Sequence, residues 1–148
     1  MKTLQFSIDI RAGRQTVWDT MLARDSYKAW AAEFAEGSFY EGVLEPGARI
    51  RFLIPSGDGM VAAVAACRPP EFISFKHLGF VKDGVEDTDS EMVKAWAPAF
   101  ENYTLTDAGL STHLAIDIDV PPEWEEYMTK AWPKALAALK QLCEDGRA

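Results

Sequence analysis

The sequence has few cysteines and a shortage of basic side chains relative to acidic ones. Its 148 residues include two cysteines, Cys67 and Cys143, whose spacing fits neither a metal site nor a redox pair. Isolated thiols of this kind are typical of a reducing compartment, so we expect a cytoplasmic protein. The formal net charge is −8, and no cluster of lysine or arginine offsets it. This charge argues against binding to nucleic acid or to an anionic membrane surface.

Long apolar runs are also missing. No run reaches the roughly 20 residues that a membrane-spanning helix needs, so membrane insertion is not expected. Residues 1–10 alternate between apolar and polar, whereas a signal peptide has a continuous apolar block. The sequence has no motif for a nucleophilic serine or a zinc site. Residues 57–62 match the glycine pattern of dinucleotide sites, but they lie between two predicted strands, so no cofactor is expected.

Residues 121–146 show the strongest helical pattern in the chain. Apolar side chains recur there at intervals of three or four, and two prolines with three glutamates suit the first turn. Bulky side chains such as Trp124 and Trp132 occupy the N-terminal half of the apolar face, while alanine and leucine follow in the C-terminal half. Such a face usually packs into a core, but this one could also cover a pocket that is tight at one end and open at the other. Gly146 is the expected end of the helix.

Most of the remaining chain alternates between apolar and polar residues, as half-buried strands do. Seven strands are predicted, at residues 4–10, 38–44, 50–54, 60–67, 73–77, 100–106 and 111–120. Two short amphipathic helices lie between strands 1 and 2. Short turns between successive strands favour an antiparallel meander, and only the long C-terminal helix could cover one face of it. The sequence therefore predicts one α+β domain over residues 1–148.

Several short segments resemble a known family. Segments similar to homologues of the activator of the heat-shock-protein-ninety ATPase are residues 132–140, Val17-Trp18, Trp30 and, in a bacterial subgroup, residues 84–88, 94–96 and 101–105. The order of elements resembles the START-like, or SRPBCC, superfamily over essentially the whole chain. This resemblance implies a helix-grip fold, in which a seven-stranded antiparallel sheet curves around a long C-terminal helix. It also implies an apolar cavity between sheet and helix, used in that superfamily to bind lipids, sterols or polyketides.

His77 and Glu101 are polar residues that strand alternation places on the apolar face of the sheet. His77 shares a face with Phe75, and Glu101 shares one with Tyr103. A buried carboxylate needs a partner, and His77 is the natural one. The pair could satisfy itself, hold the polar group of a ligand, or transfer protons, and the residues alone leave these alternatives open.

We expect a ligand pocket beneath the N-terminal half of the long helix. Its expected lining is mostly aromatic, with one polar pair: Trp30, Phe34, Phe52, Phe75, His77, Trp96, Glu101, Tyr103, Trp124, Tyr127, Met128 and Trp132. The most direct function is non-catalytic binding of a small, largely apolar molecule there. One alternative is a cyclase- or dehydratase-type enzyme that uses His77 and Glu101. Another is a stress or co-chaperone module that binds a protein partner and no ligand.

Acidic residues crowd the segment 83–91, and the spacing of Asp87, Asp89 and Glu91 resembles alternate ligands of a calcium loop. Thr88 and Glu91 also fit a capping box for a short helix. The capping box explains the same residues without an ion. We therefore expect Thr88 to be the N-cap of a short helix, with no metal bound.

Overall fold

The structure is a computed structural model, and it describes residues 1–145. Gly146, the expected end of the last helix, lies outside the described residues. In chain order the elements are β1 (Lys2–Ile10), α1 (Arg14–Leu22), α2 (Arg24–Ala31), β2 (Phe39–Glu41), β3 (Arg49–Leu53), β4 (Gly59–Arg68), β5 (Phe72–Lys82), β6 (Val85–Asp87), α3 (Glu91–Lys94), β7 (Ala99–Asp107), β8 (Thr112–Val120), a short 3-10 turn (Pro122–Trp124) and α4 (Glu125–Asp145).

The strands form one antiparallel sheet in the order β1-β8-β7-β5-β4-β3-β2, and β6 pairs with β5. Alternate residues of β8 are buried, because one face of the sheet lies under α4. Leu114 and Ile116 belong to the same core cluster as Ala135 and Leu139 of α4. The predicted α+β architecture is confirmed: an antiparallel sheet, a long C-terminal helix, and two short helices between β1 and β2.

The sheet has one strand more than the sequence predicted. β5 pairs with β7 along residues 72–77 and with the short β6 along residues 80–82. Asp83 and Gly84 form the two-residue turn between β5 and β6, with φ angles of 52° and 78°. Asp-Gly is a typical sequence for such a hairpin turn, because both positions require positive φ. Our interpretation of the segment as an acidic loop missed this signal.

Hydrogen bonds from two aromatic side chains hold α1 and α2 against β2. The indole N–H of Trp30 donates to the carbonyl of Met21 at 3.1 Å, and the hydroxyl of Tyr40 donates to the carbonyl of Leu22. Both acceptors are carbonyls of the last turn of α1, which have no partner within that helix. The two bonds therefore complete the end of α1 and set the position of Trp30 beneath α4.

The two halves of α4 pack differently. On the inner face of the helix, Ala135 and Leu139 are fully buried, whereas Met128 near its start is only half-buried. Trp132 lies at the change between the two halves. Its ring contacts four aromatic rings from other elements, namely Phe6 in β1, Trp30 in α2, Phe34 after α2 and Tyr103 in β7. The C-terminal half of α4 is thus held against the sheet, and the N-terminal half is held further away.

The prediction that Thr88 is the N-cap of the short helix is wrong. Ser90 caps α3, and its hydroxyl accepts from the backbone N–H of Val93 at 3.3 Å. The carboxylate of Asp87 accepts from the backbone N–H groups of Asp89 and Ser90. Asp87 is the last residue of β6, so a turn must follow it before a helix can begin. The N-cap is therefore Ser90, two residues after Thr88.

Replacement of Leu139 by alanine should lower the free energy of unfolding by about 2–5 kcal/mol, because it leaves a cavity in a fully buried position. Leu110→Ala is the matched control, since Leu110 is 89% exposed in a turn, and its effect should stay within about 0.5 kcal/mol. Urea unfolding followed by circular dichroism measures both. Equal effects of the two substitutions would contradict the tight packing of this half of α4.

Candidate functional site

Glu101 binds two side chains at once in the space beneath α4. Nε2 of His77 lies 3.0 Å from Oε1 of Glu101, and the hydroxyl of Tyr103 donates to Oε2. The three residues come from β5 and β7, which are neighbours in the sheet. His77 is 6% exposed, and both ring and carboxylate lie on the inner face, as strand alternation predicted. These three side chains, His77, Glu101 and Tyr103, are the polar centre of the site.

The partners of Glu101 determine which nitrogen of His77 carries the proton. A carboxylate only accepts hydrogen bonds, so Nε2 of His77 must be the donor. In the neutral ring, Nδ1 is then the basic nitrogen with a free lone pair. Nδ1 is buried, and it has no hydrogen-bond partner among residues 1–145. The polar centre therefore contains one oriented imidazole whose second nitrogen is unused.

Two tyrosines next to Glu101 are held in their neutral form. Burial, together with the negative charge of Glu101, raises the pKa of Tyr103 well above its usual value of 10.0. The same two causes raise the pKa of Tyr27, which also lies beneath α4. Both phenols consequently remain hydrogen-bond donors over the whole neutral range.

Two chambers share a wall that includes His77 and Glu101 of the polar centre. The α2 chamber has a volume of about 190 Å³, and Trp30, Phe34 and Trp132 form much of its wall. The Trp96 chamber has a volume of about 340 Å³, and its wall includes Trp96 and Trp124. The residues that line both chambers are Ile54, Met60, His77, Glu101, Ile118 and Met128. Both chambers are mainly apolar, and the polar side chains of His77 and Glu101 belong to both.

The structure places ten of the twelve expected wall residues on these chambers. Trp30, Phe34, Phe52, Tyr103 and Trp132 line the α2 chamber, Trp96 and Trp124 line the Trp96 chamber, and His77, Glu101 and Met128 line both. The other two line neither chamber. Phe75 packs edge-on against Phe52, with the ring centroids 5.1 Å apart, and lines a separate small cavity of about 10 Å³ with Tyr27 and Trp30. Tyr127 contacts Trp124 on the outside of α4. Tyr127 is turned about 100° from Met128 around the helix, since α-helices have 3.6 residues per turn.

Solved structures share this architecture over nearly the whole chain. The Aha1 dimer from Colwellia psychrerythraea is 17% identical, with 100% of both chains covered and a TM-score of 0.75. A protein from Mesorhizobium loti is 17% identical over 97% of this chain and 98% of its own, with a TM-score of 0.73. CalU16 from Micromonospora echinospora is 14% identical over 95% of this chain and 75% of its own, with a TM-score of 0.67. The chain has the SRPBCC, or helix-grip, fold.

Sequence comparison adds nothing to this assignment. No family model matches the sequence, and no curated protein matches it. The likeness to the solved structures is a likeness of fold, because the helix-grip fold is shared here at identities below 20%.

Sequence reasoning missed several wall residues of this helix-grip cavity. Tyr27 shares the inner face of α2 with Trp30, and Ile118 alternates with Ile116, so both could have been predicted. Phe80 could not, because simple alternation places it on the opposite face from His77. The pairing of β4 with β5 slips at Leu78, which leaves one extra residue in β5. This bulge turns Phe80 onto the same wall as His77.

Buried nitrogen atoms without partners surround the chambers. Besides His77 Nδ1, they are the indole Nε1 atoms of Trp96 and Trp132, none of which bonds to a described residue. An unsatisfied buried donor costs about 1–3 kcal/mol. Trp132 lines the α2 chamber, Trp96 lines the Trp96 chamber and His77 lines both, so each chamber has a wall residue with a buried nitrogen that lacks a partner among the described residues.

Among residues 1–145, no group of three or more His, Cys, Asp or Glu side chains is arranged to hold a metal ion. None of the described helices has the length and the apolar character needed to cross a membrane. Cys67 and Cys143 are free thiols.

Tyr103 should keep its proton in the folded protein far above pH 10, because burial and Glu101 raise its pKa. The neutral side chain of Tyr103 contributes fully to the free energy of unfolding below about pH 10. This contribution is lost as the pH rises further, because the tyrosine ionises first in unfolded chains. Tyrosinate absorbance should therefore rise sharply when the protein unfolds at alkaline pH. The rise should be smaller in Tyr103→Phe. A wild-type protein whose four tyrosines all titrate near pH 10 while folded would contradict the described polar centre.

Proposed function

We propose that the protein binds a small, largely apolar molecule in the cavity formed by the α2 and Trp96 chambers. The observation that carries the proposal is open apolar volume beneath one half of α4, while the other half is closed. The chambers of about 190 and 340 Å³ are far larger than the roughly 30 Å³ that a water molecule occupies in the liquid. An apolar ligand would replace water that has few hydrogen-bond partners there.

The residues of the wall support this function. Met60 and Met128 lie on the wall that both chambers share, and methionine adapts its shape to different ligands. The aromatic rings of Trp30, Phe34 and Trp132 offer large flat apolar surfaces. His77 and Glu101 would hold one polar group of the ligand. Binding in this form needs no catalytic step.

The proposal also covers the domain organisation, the cellular location and the partners of the protein. Residues 1–148 are proposed to form one START-like domain, because one core cluster joins side chains from β1 through α4. A reducing, cytoplasmic location is proposed from the two free cysteines. A protein partner is proposed as well, since the similar Colwellia structure is a dimer. The co-chaperone module without a ligand has less support, because it would need a closed core beneath α4.

Binding can be tested with N-phenyl-1-naphthylamine, a neutral dye that fluoresces in apolar sites. The wild type should bind it, and Met128→Trp should weaken binding by roughly tenfold, because a larger ring fills the wall common to both chambers. Met92→Trp is the matched control, since Met92 is exposed on α3 and should leave binding unchanged. Lack of dye binding to the wild type, or equal binding by both variants, would refute the cavity as a ligand site.

A proton-transfer enzyme is a second candidate, and the unused Nδ1 of His77 favours it. Glu101 holds the ring in the tautomer whose Nδ1 is basic. On a bound ketone, Nδ1 would take a proton from the carbon next to the carbonyl. The C–H bond breaks, an N–H bond forms, and the electron pair moves to the carbonyl oxygen as an enolate. Return of the proton to carbon restores both partners.

This chemistry predicts exchange of carbon-bound protons. In heavy water, 2-tetralone should lose the NMR signals of its protons next to the carbonyl faster with the wild type than in buffer. His77→Gln should slow this exchange by roughly 100-fold, a typical contribution of a general base. His113→Gln is the matched control, because His113 is on the outer face of β8 beside Asp9. Equal rates for the two variants would exclude His77 as the base and leave the binding function standing.

A further inference from the structure

Two side chains of the polar centre lie on the wall that the two chambers share. The α2 chamber extends from it toward Trp30 and Phe34, and the Trp96 chamber extends from it toward Trp96 and Trp124. His77 and Glu101 both belong to the common wall. A ligand that fills only one chamber would place its end at the polar centre. A ligand that fills both would place its middle there.

The charges around the cavity restrict the kind of polar group it can hold. Three acidic side chains line the chambers, namely Asp58, Asp119 and Glu101. Among the described residues, no lysine or arginine lines either chamber. A carboxylate or phosphate headgroup would therefore meet like charge without a cation to pair with, in an apolar surrounding where such repulsion is strong. The ligand's polar group should be neutral.

The tautomer of His77 indicates which neutral group fits. Since Nε2 donates to Glu101, the free Nδ1 of the neutral ring is an acceptor, and its natural partner is a hydroxyl donor. Protein atoms cover Nδ1 in this structure, so a hydroxyl reaches it once a wall side chain moves aside. Met60 and Met128 lie on the same wall, and their unbranched chains change rotamer easily.

We infer that the ligand is an elongated, neutral, largely apolar molecule that occupies both chambers and carries a hydroxyl group in the interior of its length. This inference rests on the proposed binding function, and it adds the class of ligand. The interior hydroxyl donates to Nδ1 of His77, and the two apolar arms lie against the aromatic walls of the two chambers. An anionic fatty acid, with its charge at one end, is excluded as the best ligand.

Isomeric alcohols test the position of the hydroxyl without any change to the protein. Tridecan-7-ol and tridecan-1-ol have the same formula, and each would be titrated to displace N-phenyl-1-naphthylamine from the wild type. The interior alcohol should displace the dye at a concentration about tenfold lower, because a terminal hydroxyl reaches Nδ1 only when its chain leaves one chamber empty. Tridecanoate, which carries a terminal charge, should be the weakest of the three. Equal displacement by the two alcohols, or tighter binding of tridecanoate, would overturn the inference.

A pair of variants assigns the preference to His77. In His77→Phe the two alcohols should become equal, because the ring remains and Nδ1 is lost. His113→Phe should keep the tenfold preference, since His113 lies on the outer face. A preference that persists in His77→Phe would overturn the assigned hydrogen bond. If the dye binds the wild type and the alcohols do not differ, only this inference fails. If neither dye nor alcohol binds, the proposed function fails with it.

Discussion

Trp132 is the side chain at which the sheet, α2 and α4 meet, and the cavity depends on it. The centroid of its ring lies 4.8 Å from the ring centroid of Phe34 and 6.0 Å from that of Tyr103. A ring of this size holds the helix away from the sheet on its N-terminal side. Beyond it, Ala135 and Leu139 are small or flexible enough to pack directly on the strands, and they are fully buried. One bulky residue followed by small ones therefore produces a cavity beneath only half of the helix.

Glu101 has a comparable role for the chemistry of the cavity. A carboxylate in an apolar space is costly unless donors surround it, and His77 and Tyr103 supply them. The same carboxylate sets the tautomer of His77 and helps to raise the pKa of Tyr103. The adjacent pairing of β5 and β7 makes this possible, because it brings inward residues of both strands together. The orientation of the His77 ring and the raised pKa of Tyr103 thus both depend on one buried acid.

Much of this arrangement could be predicted from particular residues. Alternation in β5 and β7 was enough to turn His77 and Glu101 inward, because the strand repeat leaves only two faces. The helical spacing of Met128 and Trp132 was enough to place them on one face of α4. The errors have local causes. Tyr127 was included because it is aromatic, although its position on the helix turns it outward, and β6 was missed because an acidic segment hid an Asp-Gly turn.

The sequence by itself determined the elements and the inward or outward direction of most side chains, because both depend on local periodicity. The order of elements, through its resemblance to the START-like superfamily, also predicted the fold that solved structures share at identities below 20%. Only the tertiary structure decided where the sheet departs from regular alternation. The extra residue at Leu78 brings Phe80 beside His77, and it depends on how β4 pairs with β5. Whether packed side chains leave a void is likewise decided by how all the neighbouring elements fit together, which no local pattern in the chain encodes.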